Sequence, residues 1–520
     1  MASAAGTASR PNQIAGVTGY RRLGLTIASM LGMISMIMTS TMVNVAVPDI
    51  MGAYGLGQDQ AHWMSTGFLA AMTVSMLLNA WLVSNFGPRN VYITAVAVFS
   101  IAAVLGQISP TYSGVVAARV GQGVCAGLIQ SLAMSTVFLA YPPHERGKAM
   151  GWFGMGVVLG PVIGPVIGGI IVDDADWRYV FSAAVPVLVL GALLAWIFLP
   201  GRDERAERVS FNPFNFGLIT ASFILFLNGI TTGQREGWGT DPVFFMLFGS
   251  AVSLIAFIIL ESRTDKPLLQ LRLFRYPVFA ASAVVAFTFG AGMFGSIYLT
   301  PIMVQTVQGF TATKSGLLLI PGGLVAMAVF PIAGRLTQTV RQGNQVLVGL
   351  LIFSLSSFWL AEVDMLTGFW VLALTIAFGR IGLGLVIPAL NLGALNSVPQ
   401  ELVPFAAGTL NFVRMTGASV GTNTLAIVLD HRAAEHGARL VSTQTAGNRE
   451  MTGLIDRLVE QLATGGLPAN EQVPAAMSYL RSLLKVKADE LAFQDGFMVL
   501  AVGFLLTCLT ALLLLRVDRK

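Results

Sequence analysis

Runs of about twenty apolar residues recur along almost the whole chain, and no other feature restricts its fold so tightly. Clear cases are the stretches 23–47, 91–108, 150–171, 180–199, 246–260, 278–299 and 497–515, none of which contains an acidic residue. A segment inside a bilayer has no water to bind its backbone amides, so it must satisfy them itself as a helix or in a closed barrel. Runs this long are helices. With 55% hydrophobic residues, 11% charged residues and a mean hydropathy of +0.73, the chain lacks the polar surface that would cover so many apolar helices in water. The expected fold class is therefore an all-α membrane protein. The first run continues to Pro48, beyond the roughly 7 to 15 apolar residues of a cleavable leader, and reads as a retained span.

Counting onward gives fourteen spans. With both termini on the cytoplasmic side, the inward tails and short loops hold eighteen Lys and Arg, among them Arg89, Arg146, Lys148 and Arg335. The outward short connections hold three, Arg178, Arg235 and Lys314. That asymmetry matches the bias of basic residues toward the cytoplasm and fixes the orientation. One outward segment, 430–492, is long and polar. It carries two apolar faces at helical spacing, Met451, Leu454, Ile455, Leu458 and Leu462, then Val473, Met477, Leu480 and Leu484, separated by Gly465, Gly466 and Pro468. A helical hairpin outside the membrane is expected there.

A gapless shift of 261 residues superposes the chain on itself. Arg119, Gly121 and Gly123 fall on Arg380, Gly382 and Gly384; Gln130 on Asn391; Pro143 and Gly147 on Pro404 and Gly408; Gly156 and Gly160 on Gly417 and Gly421. Two copies of a six-span unit with two extra spans between them account for the repeat. The expected organisation is a disordered tail (1–20), an N-terminal six-helix bundle (21–200), a linker with two extra membrane helices (201–276) and a C-terminal six-helix bundle (277–520). Duplicated halves of this kind rock about a site near the bilayer midplane.

Within the spans, Gly156, Gly160, Gly164 and Gly168, with Gly169, recur at helix-packing spacing and leave a groove for a neighbouring backbone, while Pro161 and Pro165 bend or loosen the helix. Arg119 and Arg380 sit in apolar helices, where an arginine costs about 2.5 to 3.5 kcal/mol unless it faces a polar cavity. Each has a carboxamide eleven residues on, three turns away on the same face: Gln130 and Asn391. These four are expected to face a central pathway; the alternative is a guanidinium that snorkels to an interface. Arg414 is a further candidate.

Taken in order, these segments resemble the major facilitator superfamily, and in particular its fourteen-span drug:proton antiporters of the EmrB and QacA type. The resemblance rests on the Gly156–Gly169 segment, which looks like the antiporter signature, on Arg119-Val-Gly-Gln122-Gly123, on Pro143-His-Glu-Arg146-Gly147-Lys148, on Asp176-Trp177-Arg178, on Gly316 to Gly323 and on Asn411-Phe-Val-Arg414-Met-Thr-Gly417. It implies a major facilitator fold of two six-helix bundles plus two linker helices. It also implies export of amphipathic or hydrophobic compounds across the bacterial inner membrane by alternating access, driven by the proton-motive force. The substrate pathway then comprises Thr39, Ser40, Asn44, Arg119, Gln122, Gln130, Arg380, Asn391, Asn411 and Arg414. The loop after the second span, with Ser84, Gly87 and Arg89, becomes the gating loop, and segment 430–492 a docking site for a periplasmic adaptor and outer-membrane channel.

The pattern is incomplete in two places. Thr39 stands where the family's first span has an aspartate, and Ser84 where its gating loop has an acid. A hydroxyl does not titrate near neutral pH. Asp49, Asp59 and His62, around the outer ends of the first two spans, are the candidate proton site; the alternative is that they are solvated or capping residues. Transport of an endogenous lipid or lipid-linked precursor, or uncoupled facilitation, are the readings that these departures favour. Cys125 and Cys508 lie in apolar runs, so neither a metal, a cofactor nor a disulfide framework is expected. The scattered basic residues form no stripe for nucleic acid. No carboxylate pair or phosphate loop points to an enzyme.

Overall fold

The computed structural model describes residues 19–202, 210–264, 267–444 and 448–517. The expected N-terminal tail, apart from Gly19 and Tyr20, lies outside them.

The first six crossings are α1 (Tyr20–Tyr54), α2 (Gln58–Ser75) continued through a short 3-10 turn by α3 (Asn79–Phe86), α4 (Pro88–Ile108), α5 (Tyr112–Ala140), α6 (Arg146–Asp174) and α7 (Val185–Phe198). Two further helices follow, α8 (Pro213–Glu236) and α9 (Asp241–Arg263). The second set is α10 (Pro277–Thr306), α11 (Ala312–Leu336), α12 (Gln342–Leu360), α13 (Phe369–Asn396), α14 (Val403–Ser442) and, after the amphipathic α15 (Arg449–Thr464), α16 (Ala469–Val517). Thirteen described helices are long and apolar enough to cross a bilayer. The fourteenth crossing is α14, whose hydropathy is lowered by Asn411, Arg414 and Asn423 and which packs along α10 and α16. The fold is thus two six-helix bundles with two linker helices.

Local chemistry accounts for the helix boundaries. Proline opens α4, α8, α9, α10 and α14, where a missing N–H costs nothing. Side chains of Thr111, Asn212 and Thr311 cap α5, α8 and α11 by accepting from backbone amides of the first turn. Gly87 turns the chain from α3 into α4 at φ 79°, and a methyl group there would stand 2.5 Å from the backbone nitrogen of Arg202.

The outward segment departs from the expected plan. Asp430 does not begin a loop: α14 runs through it to Ser442, and α16 runs unbroken from Ala469 through its membrane span. At 1.5 Å per residue these helices are about 60 and 73 Å long, so both project well beyond a hydrocarbon core of about 30 Å. The projecting parts are tied by Asp495, which accepts from His436 (2.8 Å) and forms an ion pair with Arg432 (3.3 Å). The turn at Gly465, Gly466 and Pro468 folds α15 back on α16.

Candidate functional site

Helix α6 carries glycines on two opposite sides. Gly156, Gly160, Gly164 and Gly168 lie against α1: a methyl group on Gly160 would stand 2.9 Å from Ile37, on Gly164 2.7 Å from the Met38 carbonyl, and on Gly168 3.0 Å from the Met42 carbonyl. Gly147, Gly151 and Gly154 lie against the other half. Their methyl groups would stand 2.5 Å from the Gly334 carbonyl, 2.6 Å from the Phe330 carbonyl and 2.7 Å from the Phe330 ring. At 3.6 residues per turn the step of five from Gly151 to Gly156 carries the second set around the helix. Gly169 faces open space, and Pro161 and Pro165 lie inside an unbroken helix.

The second half repeats the device. Gly417 and Gly421 of α14 pack on Phe287 and Ala291 of α10, as α6 packs on α1. Gly408, the repeat partner of Gly147, faces the Met76 carbonyl in the turn between α2 and α3, where a methyl group would stand at 2.6 Å. Each half therefore presses one glycine-bearing helix start on the other.

Polar contacts close the same end. Arg146 donates to Asn396 (3.1 Å), Gln338 to the His144 carbonyl (2.6 Å) and Asn79 to the Pro404 carbonyl (3.5 Å). By the orientation read from the basic residues, this is the cytoplasmic side. Farther out, Gly323 of α11 still approaches Val162 of α6, but a methyl group on Gly169 or Gly316, near the outer ends of the same helices, would meet nothing within 4 Å. The halves are sealed toward the cytoplasm and diverge outward.

Arg119, Gln130 and Met134 share one face of α5, since offsets of eleven and four residues are close to whole turns. Arg119 is fully buried, with its guanidinium 4.2 Å from the Phe68 ring centre and one nitrogen donating to Gln122 (3.0 Å). Met134, about four turns on, accepts from Asn411 of α14 (3.3 Å), and Asn411 in turn accepts from Arg414. On α13, Arg380, Gly384, Ile387 and Asn391 share the equivalent face. Gly384 meets Val329 of α11, and Ile387 is within reach of Gly154 of α6. Met134 and Ile387 thus bring part of each face to the seam, while Arg119 packs on Phe68 and Arg380 against Gly322 within their own halves. Gln130 and Asn391 are wholly buried, and neither the oxygen nor the nitrogen of either amide has a hydrogen-bond partner.

This architecture has a counterpart among known proteins. The Major Facilitator Superfamily profile matches residues 29–422. The chain belongs to the major facilitator superfamily. It is 27% identical over 444 residues to the multidrug export protein EmrB of Escherichia coli, covering 85% of this chain and 86% of that one. It is 25% identical over 451 residues to the lincomycin resistance protein LmrB of Listeria monocytogenes, covering 86% and 94%. Among solved structures, the human organic anion transporter MFSD10 superposes with a TM-score of 0.61 at 15% identity, covering 94% of this chain and 99% of that one. This superfamily member is a multi-pass membrane transporter, not an enzyme, of the EmrB and QacA type.

Its other expected site residues are dispersed. Thr39 is buried in α1 and donates to the Ser35 carbonyl (2.9 Å); Ser40 is half-buried and donates to the Ile37 carbonyl. Asn44 is exposed and accepts from Ser65 (2.7 Å). Gln122, besides holding Arg119, donates to the Phe181 carbonyl (3.3 Å). In the expected gating loop, Ser84 is half-buried, and Arg89 lies over the Trp196 ring of its own half, its backbone amide bonded to Pro200. Asp49 is exposed; the side chains of Asp59 and His62 lie outside the described residues. An apolar cavity of about 210 Å³ between α10, α14 and α16 is lined by none of the ten expected pathway residues. Sequence reasoning missed the seam contacts at Gly151, Phe330 and Gly334, although the Gly147–Gly151 spacing was a signal for them. It also missed Glu261, buried in the last turn of α9, which accepts from Asn215 (2.6 Å) and the Leu269 amide (2.7 Å).

Proposed function

We propose that this transporter exports amphipathic or hydrophobic compounds across the bacterial inner membrane by alternating access, drawing on the proton-motive force. The observation that carries the reading is the two-sided α6. Its α1 face is an internal contact of residues 21–200, and its α11 face is the contact that must separate from residues 277–520 for the pathway to open inward. The multidrug export and lincomycin resistance for which EmrB and LmrB are named support the substrate range. The pathway proposed for such compounds comprises Thr39, Ser40, Asn44, Arg119, Gln122, Gln130, Arg380, Asn391, Asn411 and Arg414, with Met and Phe side chains such as Met134 and Phe68 beside them, which adapt to varied apolar shapes.

Thr39 in place of an acid favours a second reading, transport of an endogenous lipid or lipid-linked precursor. Efflux from cells expressing the chain, measured with a panel of dyes and with labelled inner-membrane lipid, separates the two. Faster loss of the dyes supports drug export; movement of the lipid alone favours the second reading; no change in either rejects both. In either case the projecting α14, α15 and α16 give a periplasmic adaptor a helical surface, and deleting 443–468 is expected to abolish its co-purification after mild crosslinking.

A further inference from the structure

The membrane spans hold cations with no anions to match. Arg119, Arg380 and Arg414 are buried in α5, α13 and α14, and among the described residues none of them is in an ion pair. Two nitrogens of Arg119 and one of Arg414 have no hydrogen-bond acceptor at all. The two buried carboxylates are engaged elsewhere: Glu261 by Asn215 and a backbone amide, Glu490 by Lys487 in the outward projection. A guanidinium does not lose its proton in a protein, so three positive charges stay inside the spans throughout the cycle.

Their placement is ordered. Arg119 lies seven residues from the outer end of α5, about 10 Å deep, and Arg380 eleven residues from the outer end of α13, about 16 Å deep. Arg414 lies eleven residues from the inner end of α14. The three are staggered across the membrane on helices that reach the seam, with the unpartnered carboxamides of Gln130 and Asn391 on the same faces as Arg119 and Arg380. Buried charges and amides left short of partners in a folded protein mark places where another molecule completes the bonds.

We infer that the transported compound is an amphipathic anion, its negative group passed outward along Arg414, Arg380 and Arg119, and that the membrane potential drives its exit. This deepens the exporter reading and rests on it. An anion leaving a negative cytoplasm moves down the electrical gradient, so no titrating acid is required, which gives Thr39 and the acid-poor spans a physical reason. The drive is about fiftyfold in concentration ratio per charge for each 100 mV, the equivalent of about 2.3 kcal/mol.

The test uses the purified full chain in liposomes and three fluorescent probes with the same alkyl body: a sulfonate, an alcohol and a trimethylammonium. Under a potassium diffusion potential set negative on the cytoplasmic face, the sulfonate is expected to be expelled toward the roughly fiftyfold ratio at about 100 mV, unaffected by collapse of a pH gradient. Arg119→Gln and Arg380→Gln are expected to slow it at least tenfold, while Arg119→Lys and Arg380→Lys keep most of the rate. Gel filtration verifies folding, and if the Gln variants misfold, the wild-type preference among the probes decides alone. Faster movement of the trimethylammonium than of the sulfonate, or an unchanged sulfonate rate in folded Gln variants, overturns the inference. Movement of the alcohol alone overturns it and leaves the exporter reading standing; movement of none of the three overturns both.

Discussion

The two glycine faces of α6 look alike in sequence and differ in what they join. Gly156, Gly160, Gly164 and Gly168 seat α6 on α1, its neighbour in the same bundle, whereas Gly147, Gly151 and Gly154 seat it on α11 and α13 of the other bundle. In a membrane, where lipid tails are as apolar as leucine, close backbone approach through small residues supplies much of the attraction between helices. The α1 face can be tight without penalty because it never opens. The α11 face has to be tight enough to seal and weak enough to part. Its glycines are accordingly confined to the inner end of the helix, with a side-chain contact at Val162 beyond them, and it is finished with polar contacts at Arg146, Asn396, Gln338 and His144.

Substitutions that bulk out each face separate these roles. Gly151→Leu is expected to have the largest effect on transport. Overpacking costs about 1 to 3 kcal/mol, here charged to the sealed state alone, so the population shifts toward inward opening by roughly tenfold or more. Efflux should fall by a similar factor, with little change in melting temperature. Gly164→Leu carries a similar cost in every state, since a side chain would meet the Met38 carbonyl and Thr41. It should lower thermal stability in detergent and expression together, with no preference for one conformation. If the two variants behave alike, the distinction between the faces fails.

Smaller changes sharpen it. Asn411→Leu removes the acceptor for Arg414 and the bond to Met134 across the seam. Only the Asn411–Met134 bond crosses the seam, and a neutral hydrogen bond is worth about 0.5 to 1.5 kcal/mol, so cytoplasmic accessibility to a membrane-impermeant thiol reagent should rise several-fold at seam positions. Arg146→Ala loses a partly exposed contact to Asn396 and stacking on Phe138, and should shift the same measure by about threefold or less. Asp364 lies outside the membrane and far from the seam. The Thr367 hydroxyl and nearby backbone amides hold its carboxyl below the usual carboxylate range. That contribution is present above the ordinary value near 3.8 and fades as pH falls through the lowered one, so Asp364→Asn should slightly lower the melting temperature at neutral pH, lose that difference in acid, and leave the transport rate unchanged.

Helix number was legible because it depends on run length, a local property. The repeat was legible through Arg119 with Arg380 and Gly156 with Gly417. What was not legible was the partner of each small residue. Spacing places Gly147 and Gly160 on the same helix, but only the packed bundle reveals that one touches Gly334 and the other Ile37. Arg89 illustrates the same limit. A loop arginine between two spans can turn either way, and here the Gly87 turn lays it on Trp196 of its own half. The outward segment was read as a separate helical hairpin; its turn falls at Gly465, Gly466 and Pro468 as expected, but α14 and α16 run into it without a break, since a helix backbone satisfies itself wherever the solvent changes.

The most direct measurement is a paired crosslinking experiment on a chain with Cys125 and Cys508 replaced by alanine. Cysteines at Arg146 and Asn396 are joined across the seam by a reducible bifunctional thiosulfonate whose spacer covers the reach of the Arg146 side chain, and cysteines at Thr41 and Gly164, joined as a disulfide, link α1 to α6 as the control. Crosslinking of the first pair is expected to stop transport and reduction to restore it, while crosslinking of the control pair leaves transport running. Undiminished transport with the first pair fully crosslinked would contradict the claim that the two halves part at this face.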